Sequence, residues 1–425
     1  MLLRRLGDLL QPLVIICLTG IVSVTAKESF KEDEVYKTAL EKGKLAIDFF
    51  TKRSGKNTSS DYYADICAFY GSCIFGDAAG DKSIYEYINS KYTRTHAINT
   101  GDIDKNSCGI LPLHLFLHNN NANQLKLGTD AADANIKKGG HFRSAIDDVY
   151  MTGSLIVQAY RATNNKKYLD FCAEYIVKYM KALQQSNGLY WHRNVSKQYW
   201  GRGNGWVAAG TAELIQIIPK DHTLYNEVIT GYKKHMKGLI EVQLANGMWP
   251  QLLGSKDPKN WEETSGTSMF LFALFTGLEL GLLDRATYLE PARKGWIAVT
   301  RYLSKDGKLG NIAAGFWPRT GTPQEYLNAN KSGGGDSHGT AGFIWAATAI
   351  IRYYKTDPTN IAQSSDRPAH MSAKKTDIMQ KRSLFDLRGR SMPAANYNNA
   401  KTQPTGVSIR SEDNNNAKNI KIRID

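Results

Sequence analysis

Cysteine is scarce in this chain, and the patterns that give cysteine a metal-binding role are missing. Five cysteines occur in 425 residues, and none has the spacing of a zinc site. Strand-like alternation of apolar and polar residues is also scarce. No G-x-S-x-G segment is present, and the GRGNG segment follows no predicted strand. These absences argue against a cysteine zinc site, an α/β-hydrolase and a dinucleotide-binding fold.

The four cysteines outside the N-terminal segment could pair in three ways in an oxidising compartment. They are Cys67, Cys73, Cys108 and Cys172. Cys67 and Cys73 lie closest in sequence, and we expect a disulfide between them. Buried free thiols are the alternative, because free cysteine is among the most buried residue types.

Acidic residues are outnumbered: 40 Asp and Glu stand against 54 Lys and Arg, which gives a formal net charge of +14. The basic residues are scattered, and no nucleic-acid-binding module is recognisable. Residues 371–425 hold 11 Lys and Arg against 5 Asp and Glu, so a tail supplies much of the excess. We therefore expect no nucleic-acid partner, although a positive surface attracts acidic polymers of any chemistry.

The N-terminus, MLLRRLGDLLQPLVIICLTGIVSVTA, has the layout of a secretory signal: two arginines, an apolar run and small residues before position 27. We expect cleavage there and no membrane attachment afterwards; a signal anchor is the alternative. Glycan acceptor sequences at Asn57, Asn194 and Asn330 suit a secreted protein. The predicted location is extracellular.

Between residues 33 and 355 the apolar spacing is helical nearly throughout. Long helical segments stop three times at Asn-Gly or Asp-Gly, where Gly188, Gly247 and Gly307 lie 59 and 60 residues apart. Glycine suits the position after a helix, where the backbone turns left-handed. A polar, glycine-containing loop and a small-residue helix follow each stop. The repeating unit is therefore a loop, an inner helix, a turn and an outer helix.

About six such units of about 60 residues fit into this segment. A closed all-α ring of helical hairpins buries every inner face and gathers the polar helix starts at one mouth; an open solenoid is the competing architecture. The predicted organisation is a signal peptide at 1–26, the helical barrel at 27–357 and a basic, Asn-rich tail at 358–425. The tail has few large apolar residues, and we expect it to be disordered.

Residues 198–207, QYWGRGNGWV, combine flexible glycines with flat rings and directional donors. Trp200 and Trp206 offer apolar faces, while Arg202 and Asn204 offer N–H donors. Sugar rings present apolar C–H faces edged by hydroxyls, and acidic sugars add a carboxylate. The segment is suited to hold an anionic pyranose at the start of a helix. Core tryptophans at a helix start are the alternative interpretation.

Acidic residues stand at the start of two predicted helices. Asp147 and Asp148 are adjacent, and adjacent helical residues point about 100° apart, so only one can face the mouth. Asp102 or Asp104 precedes an earlier helix in the same way. Such acids are often simple N-caps, so the pattern by itself leaves both a capping role and a catalytic role open.

Two histidines, His114 and His118, are four residues apart in the helical segment LPLHLFLH. A zinc-protease pattern needs a glutamate and a third ligand, and neither follows in the sequence. We therefore expect core or surface histidines, with no metal and no cofactor.

Six segments between residues 35 and 355 occur in a characteristic order. They are DIDKNSCG (102–109), IDDVYM (146–151), GLYWH (188–192), WGRGNGW (200–206), ETSGTSMF (263–270) and GGGDSHGTAGF (333–343). Together they resemble glycoside hydrolase family 105, the unsaturated rhamnogalacturonyl hydrolases, which are related to the unsaturated glucuronyl hydrolases of family 88. The resemblance implies an (α/α)6 barrel, in agreement with the repeat.

The resemblance also implies roles for particular residues. Asp147 would be the general acid and Asp104 the second carboxylate at the mouth, although Asp148 stands where the family often has a small residue. The sugar subsite would be formed by His192, Trp200, Arg202, Asn204, Trp206 and His338. Asp147 must keep its proton near neutral pH, and we expect an apolar cleft and a neighbouring carboxylate to raise its pKa.

The activity implied by the resemblance is removal of a terminal 4,5-unsaturated uronic acid from lyase-generated, pectin-type oligosaccharides. The enzyme hydrates the vinyl ether double bond and requires no metal. A noncatalytic carbohydrate-binding relative and an ordinary inverting glycosidase on the same barrel are the alternatives. The partner is an acidic oligosaccharide, and the sequence does not indicate an oligomeric state.

Overall fold

The computed structural model describes residues 33–140 and 142–357, together with two strands at 407–414 and 417–424. The predicted signal peptide lies outside the described residues. Thirteen α-helices occur in residues 33–357: α1 (Glu34–Asp48), α2 (Tyr63–Ala79), α3 (Lys82–Lys91), α4 (Ile110–Asn119), α5 (Ala122–Lys137), α6 (Asp148–Thr163), α7 (Lys166–Leu183), α8 (Gly201–Ile215), α9 (Tyr225–Glu241), α10 (Thr264–Glu279), α11 (Arg285–Val299), α12 (Pro323–Leu327) and α13 (Ser337–Thr356).

Six inner helices form a closed ring in the order α2, α4, α6, α8, α10 and α13, and α13 packs back against α2. The outer helices α3, α5, α7, α9, α11 and α1 pack behind this ring. Small residues allow the inner helices to approach closely: a side chain at Gly266 would meet the backbone of Gly201, and one at Gly210 would meet that of Val149. The prediction of an all-α, six-hairpin barrel is confirmed, and closure excludes the open solenoid.

Each of the three glycine turns predicted from the repeat follows an outer helix and packs against the next outer helix of the ring. Gly188, Gly247 and Gly307 all have positive φ, at 87°, 97° and 85°. A Cβ at these positions would collide with the backbone oxygens of Lys234, Lys294 and Leu45, which lie on α9, α11 and α1. Each turn therefore rests on the next outer helix. The last one reaches α1, so the N-terminal helix completes the outer layer.

The expected disulfide between Cys67 and Cys73 is wrong. All four cysteines outside the N-terminal segment are free and buried. Both residues of the expected pair lie on α2, and six residues along a helix span about 9 Å, which is too far for the Cα atoms of a disulfide. The alternative of buried free thiols is correct.

Short strands and the tail complete the described structure. β1 (Ile312–Ala313) and β2 (Lys331–Ser332) pair antiparallel and bracket a loop that contains α12. In the tail, which forms a separate unit, β3 (Val407–Asn414) and β4 (Ala417–Ile424) pair antiparallel along their whole length. Disorder of the tail as a whole stays a prediction; within the described strands, isoleucines alternate at 420, 422 and 424.

None of the helices within residues 33–357 combines the length and the apolar character that a membrane crossing requires.

Candidate active site

The starts of the inner helices meet at one end of the ring, which we call the mouth. Tyr63 at the start of α2 contacts His338 at the start of α13, with 2.6 Å between the tyrosine oxygen and Nε2. Trp206 in α8 packs against both rings, at centroid distances of 6.3 and 6.4 Å. Three hairpins that are distant in sequence therefore supply one cluster of aromatic and polar groups.

The structure separates the two adjacent acids. Asp147 precedes the first residue of α6 and makes no capping hydrogen bond with its side chain. Asp148 is the first residue of α6, and its side chain is fully buried. It accepts hydrogen bonds from the Arg143 backbone at 3.0 Å, the Arg143 Nε at 2.7 Å and the Tyr179 hydroxyl. Asp148 is therefore a structural anchor, and Asp147 is the acid that faces the mouth.

Arg143 links the buried acid to the second carboxylate of the mouth. Its guanidinium lies 2.6 Å from Asp148 and donates to Asp104 Oδ1, also at 2.6 Å. Asp104 lies in a 3₁₀ helix, Ile103–Gly109, directly before α4. The side chain of Asp104 is 35% exposed, whereas that of Asp148 is completely buried. Arg143 thus fixes the position of Asp104 from beneath.

Asp147 faces His192, which comes from the turn between α7 and α8. Its Oδ2 lies 3.3 Å from His192 Nε2, an ion-pair distance, but neither atom has the geometry of a hydrogen bond. The imidazole is fixed from its other side, because Nδ1 lies 2.8 Å from the Tyr326 hydroxyl. Asp147 Oδ2 is buried and has no hydrogen-bond partner, while the side chain as a whole is 15% exposed.

The expected rise in the pKa of Asp147 is wrong for the free protein. Burial acts to raise this pKa, but His192, Arg143 and Arg202 outweigh burial, so the pKa lies below its usual value. The resemblance placed His192 and Arg202 in the sugar subsite, but it did not indicate that they and Arg143 would outweigh the effect of burial on this pKa. The pKa of Asp104 is shifted the other way: burial and the nearby Asp147 raise it, and Arg143 offsets only part of that rise.

Arg202 is buried beneath the mouth and is held by backbone oxygens. It donates to the carbonyls of Ala313 and Ala314, the latter at 3.1 Å. Its guanidinium lies 4.7 Å from the centre of the Trp200 ring. Trp200 is also buried, and its indole N–H donates to Gln251 at 3.2 Å. Both predicted subsite residues therefore lie at the mouth, beneath its surface.

Asn204 and Trp206 are fully buried as well. The Asn204 amide accepts from the backbone of Tyr190 at 2.8 Å and donates to the carbonyls of Tyr190 and Trp200, both at 3.0 Å. These bonds tie the α7–α8 turn to the start of α8. Trp206 packs 5.2 Å from the Tyr150 ring. In this structure both residues support the site from within the core, and contact with a sugar stays a prediction.

His338 is buried between two partners. Its Nδ1 lies 2.7 Å from Asp336 and its Nε2 faces the Tyr63 hydroxyl. Burial and the charge of Arg202 outweigh Asp336 and lower the pKa of His338, so the ring is neutral near pH 7. The imidazole, held between Asp336 and Tyr63, fixes the position of the Tyr63 hydroxyl at the mouth.

Trp317, Arg193 and Tyr326 are site residues that the sequence did not indicate. Trp317 is 48% exposed, and its ring centre lies 4.3 Å from the Arg193 guanidinium and 5.5 Å from that of Arg143. It lies 6.0 Å from His192, close to the acid. Trp317 and Tyr326 belong to the loop between β1 and β2. The sequence of this loop shows no helical period, and none of the six segments that carry the family resemblance includes Trp317 or Tyr326, so the sequence did not indicate these residues.

A separate cavity of about 750 Å³ lies along α5. Arg94, Asn123 and Lys126 are among its lining residues, and none of the predicted site residues lines it. Its walls hold neither of the carboxylates at the mouth. We therefore place the candidate site at the mouth, where the carboxylates, cations and exposed tryptophan converge.

Comparison with known proteins agrees with this fold. An unsaturated 3S-rhamnoglycuronyl hydrolase of Alteromonas sp. (strain LOR) is 31% identical over 173 residues, or 38% of this chain and 42% of the relative. The unsaturated rhamnogalacturonyl hydrolase YesR of Bacillus subtilis is 23% identical over 177 residues, or 40% of this chain and 49% of YesR. The matched segments span less than half the length of these curated relatives.

A solved structure of a family 105 glycoside hydrolase from C. acetobutylicum has the same fold. It superposes with a TM-score of 0.66 at 21% identity and covers 72% of this chain and 98% of its own. The family model described as Glycosyl Hydrolase Family 88 matches residues 51–354, which is 304 of the 425 residues. This match includes every residue described at the mouth, and the chain belongs to glycosyl hydrolase family 88.

Proposed function

We propose that the protein is a glycoside hydrolase that removes a terminal 4,5-unsaturated uronic acid from lyase-generated oligosaccharides by hydrating the double bond. Family membership supports hydrolysis of a glycoside. The names of the two relatives given above support an unsaturated uronyl group as the substrate and a rhamnose-containing chain as its source. A pectin-type oligosaccharide is the substrate that we favour.

In the proposed reaction, Asp147 donates its proton to C4 of the unsaturated ring. Positive charge then develops at C5 and the ring oxygen, and a water molecule adds its oxygen to C5. Asp147, now ionised, accepts the proton that the water loses. The product is a hemiketal, which opens and releases the remaining oligosaccharide. One water molecule is consumed, and the carboxylic acid is regenerated.

The observation that carries this proposal is the free, buried oxygen of Asp147. In folded proteins a buried carboxylate oxygen without a hydrogen bond is costly and uncommon, so its presence points to a functional role. Asp147 Oδ2 has no such bond, yet His192 stands 3.3 Å away. The neighbouring carboxylates are used differently, because Asp148 and Asp104 are both bonded to Arg143.

The lowered pKa of Asp147 means that the free protein holds this acid mainly as a carboxylate near neutral pH. A bound uronate adds a negative charge to the mouth and offsets the cations there. Such a charge raises the pKa of a neighbouring carboxyl and favours uptake of a proton. The substrate itself would therefore help to create the acid that reacts with it.

Recognition of the uronate calls for a cation and an apolar surface. Trp317 provides an exposed ring of the kind that packs against the C–H face of a sugar, and Arg193 lies over the same ring. The Nε of Arg193 has no hydrogen-bond partner. Arg193 is therefore the arginine of the mouth best suited to pair with the substrate carboxylate, since Arg143 already binds two acids.

The test follows the ultraviolet absorbance of the conjugated double bond while purified protein acts on lyase-generated pectin oligosaccharides. We expect the absorbance to fall with time and a free uronic acid product to accumulate. Binding without loss of absorbance would indicate a noncatalytic relative. Cleavage of saturated oligosaccharides would indicate an ordinary inverting glycosidase, and either result would replace the proposal.

We also propose that the protein is secreted, on the basis of the N-terminal sequence and the three glycan acceptor sequences. N-terminal sequencing of protein from the culture medium should begin near Lys27. An intact N-terminus on cell-retained protein would contradict secretion.

A further inference from the structure

A histidine and carboxylate cluster lies at the end of the ring opposite the mouth, which we call the base. His114 lies in the middle of α4, His118 lies in its last turn, and Asp77 lies near the end of α2. His114 Nε2 lies 3.1 Å from one carboxylate oxygen of Asp77, and His118 Nε2 lies 3.3 Å from the other. One ligand atom from each residue can be chosen so that all three lie within 4.8 Å of one another.

The two separations between imidazole nitrogen and carboxylate oxygen are close to those of neighbouring ligands around a small metal ion. Zinc binds imidazole nitrogen and carboxylate oxygen at about 2.0–2.2 Å, so neighbouring ligands of a tetrahedral site lie about 3.3–3.5 Å apart. Imidazole and carboxylate together suit zinc and neighbouring divalent transition metals. The fourth position would be filled by water, because within residues 33–140 and 142–357 only these three residues form such a group.

The surroundings of the cluster fix its rings and leave it accessible. The Tyr85 ring stacks on His118 at 4.4 Å, and the Tyr70 ring meets His114 edge-on at 5.4 Å. The side chains of Asp77 and His118 are 41% and 31% exposed, so an ion can enter from solvent. His114 is buried, and its Nε2 has no hydrogen bond of good geometry. An unsatisfied, buried imidazole nitrogen aimed at a carboxylate is a suitable ligand.

The cluster of Asp77, His114 and His118 can be interpreted as a metal site or as an ion-pair network. The network, however, leaves the buried His114 nitrogen unsatisfied. Coordination would satisfy it, and we favour the metal site for that reason.

We propose that Asp77, His114 and His118 form a binding site for a divalent transition metal ion of the zinc type, which cross-links α2 to α4 at the base. At the mouth, α2 begins with Tyr63, and α4 follows directly after the 3₁₀ helix that contains Asp104. The ion would hold the first two hairpins of the ring together. Its role is structural, since it lies at the far end of the inner helices from Asp147.

The test uses the full chain, freed of metal by chelation and then titrated with Zn²⁺ and Co²⁺. We expect one ion to bind per chain, Co²⁺ to give the visible absorption of a four-coordinate site, and Zn²⁺ to raise the melting temperature. Excess chelator should reverse the rise. His118→Gln, at the partly exposed ligand, should weaken binding at least about tenfold and abolish the thermal shift.

His222→Gln is the matched control, because His222 pairs with Asp170 at 3.1 Å without a second histidine nearby. This variant should bind Zn²⁺ as the parent protein does. Circular dichroism of the metal-free variants separates loss of a ligand from loss of the fold. The proposal is overturned if the parent protein shows no saturable binding, or if His118→Gln binds Zn²⁺ as tightly as the parent.

Discussion

Two buried carboxylates on neighbouring inner helices differ in how their oxygens are satisfied. Glu213, in the last turn of α8 at the base, accepts from the Tyr70 hydroxyl at 2.9 Å and from Arg161 at 2.6 Å, one bond to each oxygen. Asp147, before the first turn of α6 at the mouth, has an oxygen with no hydrogen bond. Both are acids of the inner ring, but only the carboxylate at the base is fully paired.

This difference distinguishes a stabilising carboxylate from a reactive one. Paired buried charges hold helices together, and removal of one partner leaves the other charge uncompensated. Asp147 has one oxygen without a hydrogen bond, so it retains the capacity to exchange a proton with a ligand. We therefore expect substitutions at the mouth to change catalysis and substitutions at the base to change stability.

The largest effect on catalysis is expected for Asp147→Asn. Asparagine keeps the shape of the side chain but cannot donate the proton, and general acids typically contribute about 10²–10⁴ in rate. Initial rates of absorbance loss on unsaturated oligosaccharides should fall by that factor, while circular dichroism should show that the variant is folded like the parent. Full activity of Asp147→Asn together with loss in Asp104→Asn would assign the acid to position 104.

The largest effect on stability is expected for Glu213→Gln. The neutral amide no longer offsets the charge of the partly buried Arg161, which should lower the free energy of unfolding by about 3 kcal/mol. Denaturant titration measures this change, and kcat/KM per folded molecule should match the parent. As a control, Asp130→Asn breaks an exposed pair with Lys126 and should change stability by less than about 1 kcal/mol.

His192→Gln should move the pH dependence of activity. The reaction needs protonated Asp147, so kcat/KM falls as pH rises above the lowered pKa of that group. Removing His192 takes away the strongest influence that lowers this pKa, so the descending limb should shift to higher pH. His222→Gln, far from the mouth, should leave the profile in place; an unshifted profile for His192→Gln would show that the imidazole does not control Asp147.

The smallest effect is expected for Trp317→Ala. Loss of an exposed ring that stacks on the substrate should raise KM by about fivefold, equivalent to about 1 kcal/mol, with little change in kcat. Trp317→Phe should retain most of the affinity. Ile297→Ala removes a comparably exposed apolar side chain on the outer helix α11 and should leave both constants unchanged.

Periodicity in the sequence predicted the repeating hairpins and the glycine turns, because both depend on local geometry. Helical apolar spacing and a left-handed position after each outer helix are properties of short segments. Gly188, Gly247 and Gly307 have the predicted positive φ. The motif resemblance likewise identified Asp104, Asp147 and His192, which the fold brings to one mouth.

Contacts between distant segments decided the rest. The assignment between Asp147 and Asp148 depends on Arg143 and Tyr179, which lie on other elements. The lowered pKa of Asp147 depends on Arg143, His192 and Arg202, which come from separate segments. The third member of the histidine cluster, Asp77, lies 37 residues before His114 and on a different helix. Sequence spacing along α4 could not reveal it.

By itself, the sequence determined the repeating helical hairpins, their glycine turns and the set of polar residues at the starts of the inner helices. Only the tertiary structure decided that the hairpins close into a ring, and which of those polar groups are paired and which are free. The physical reason is that helix formation follows from local periodicity, whereas the charge state and hydrogen bonding of a side chain depend on every group that folding places around it.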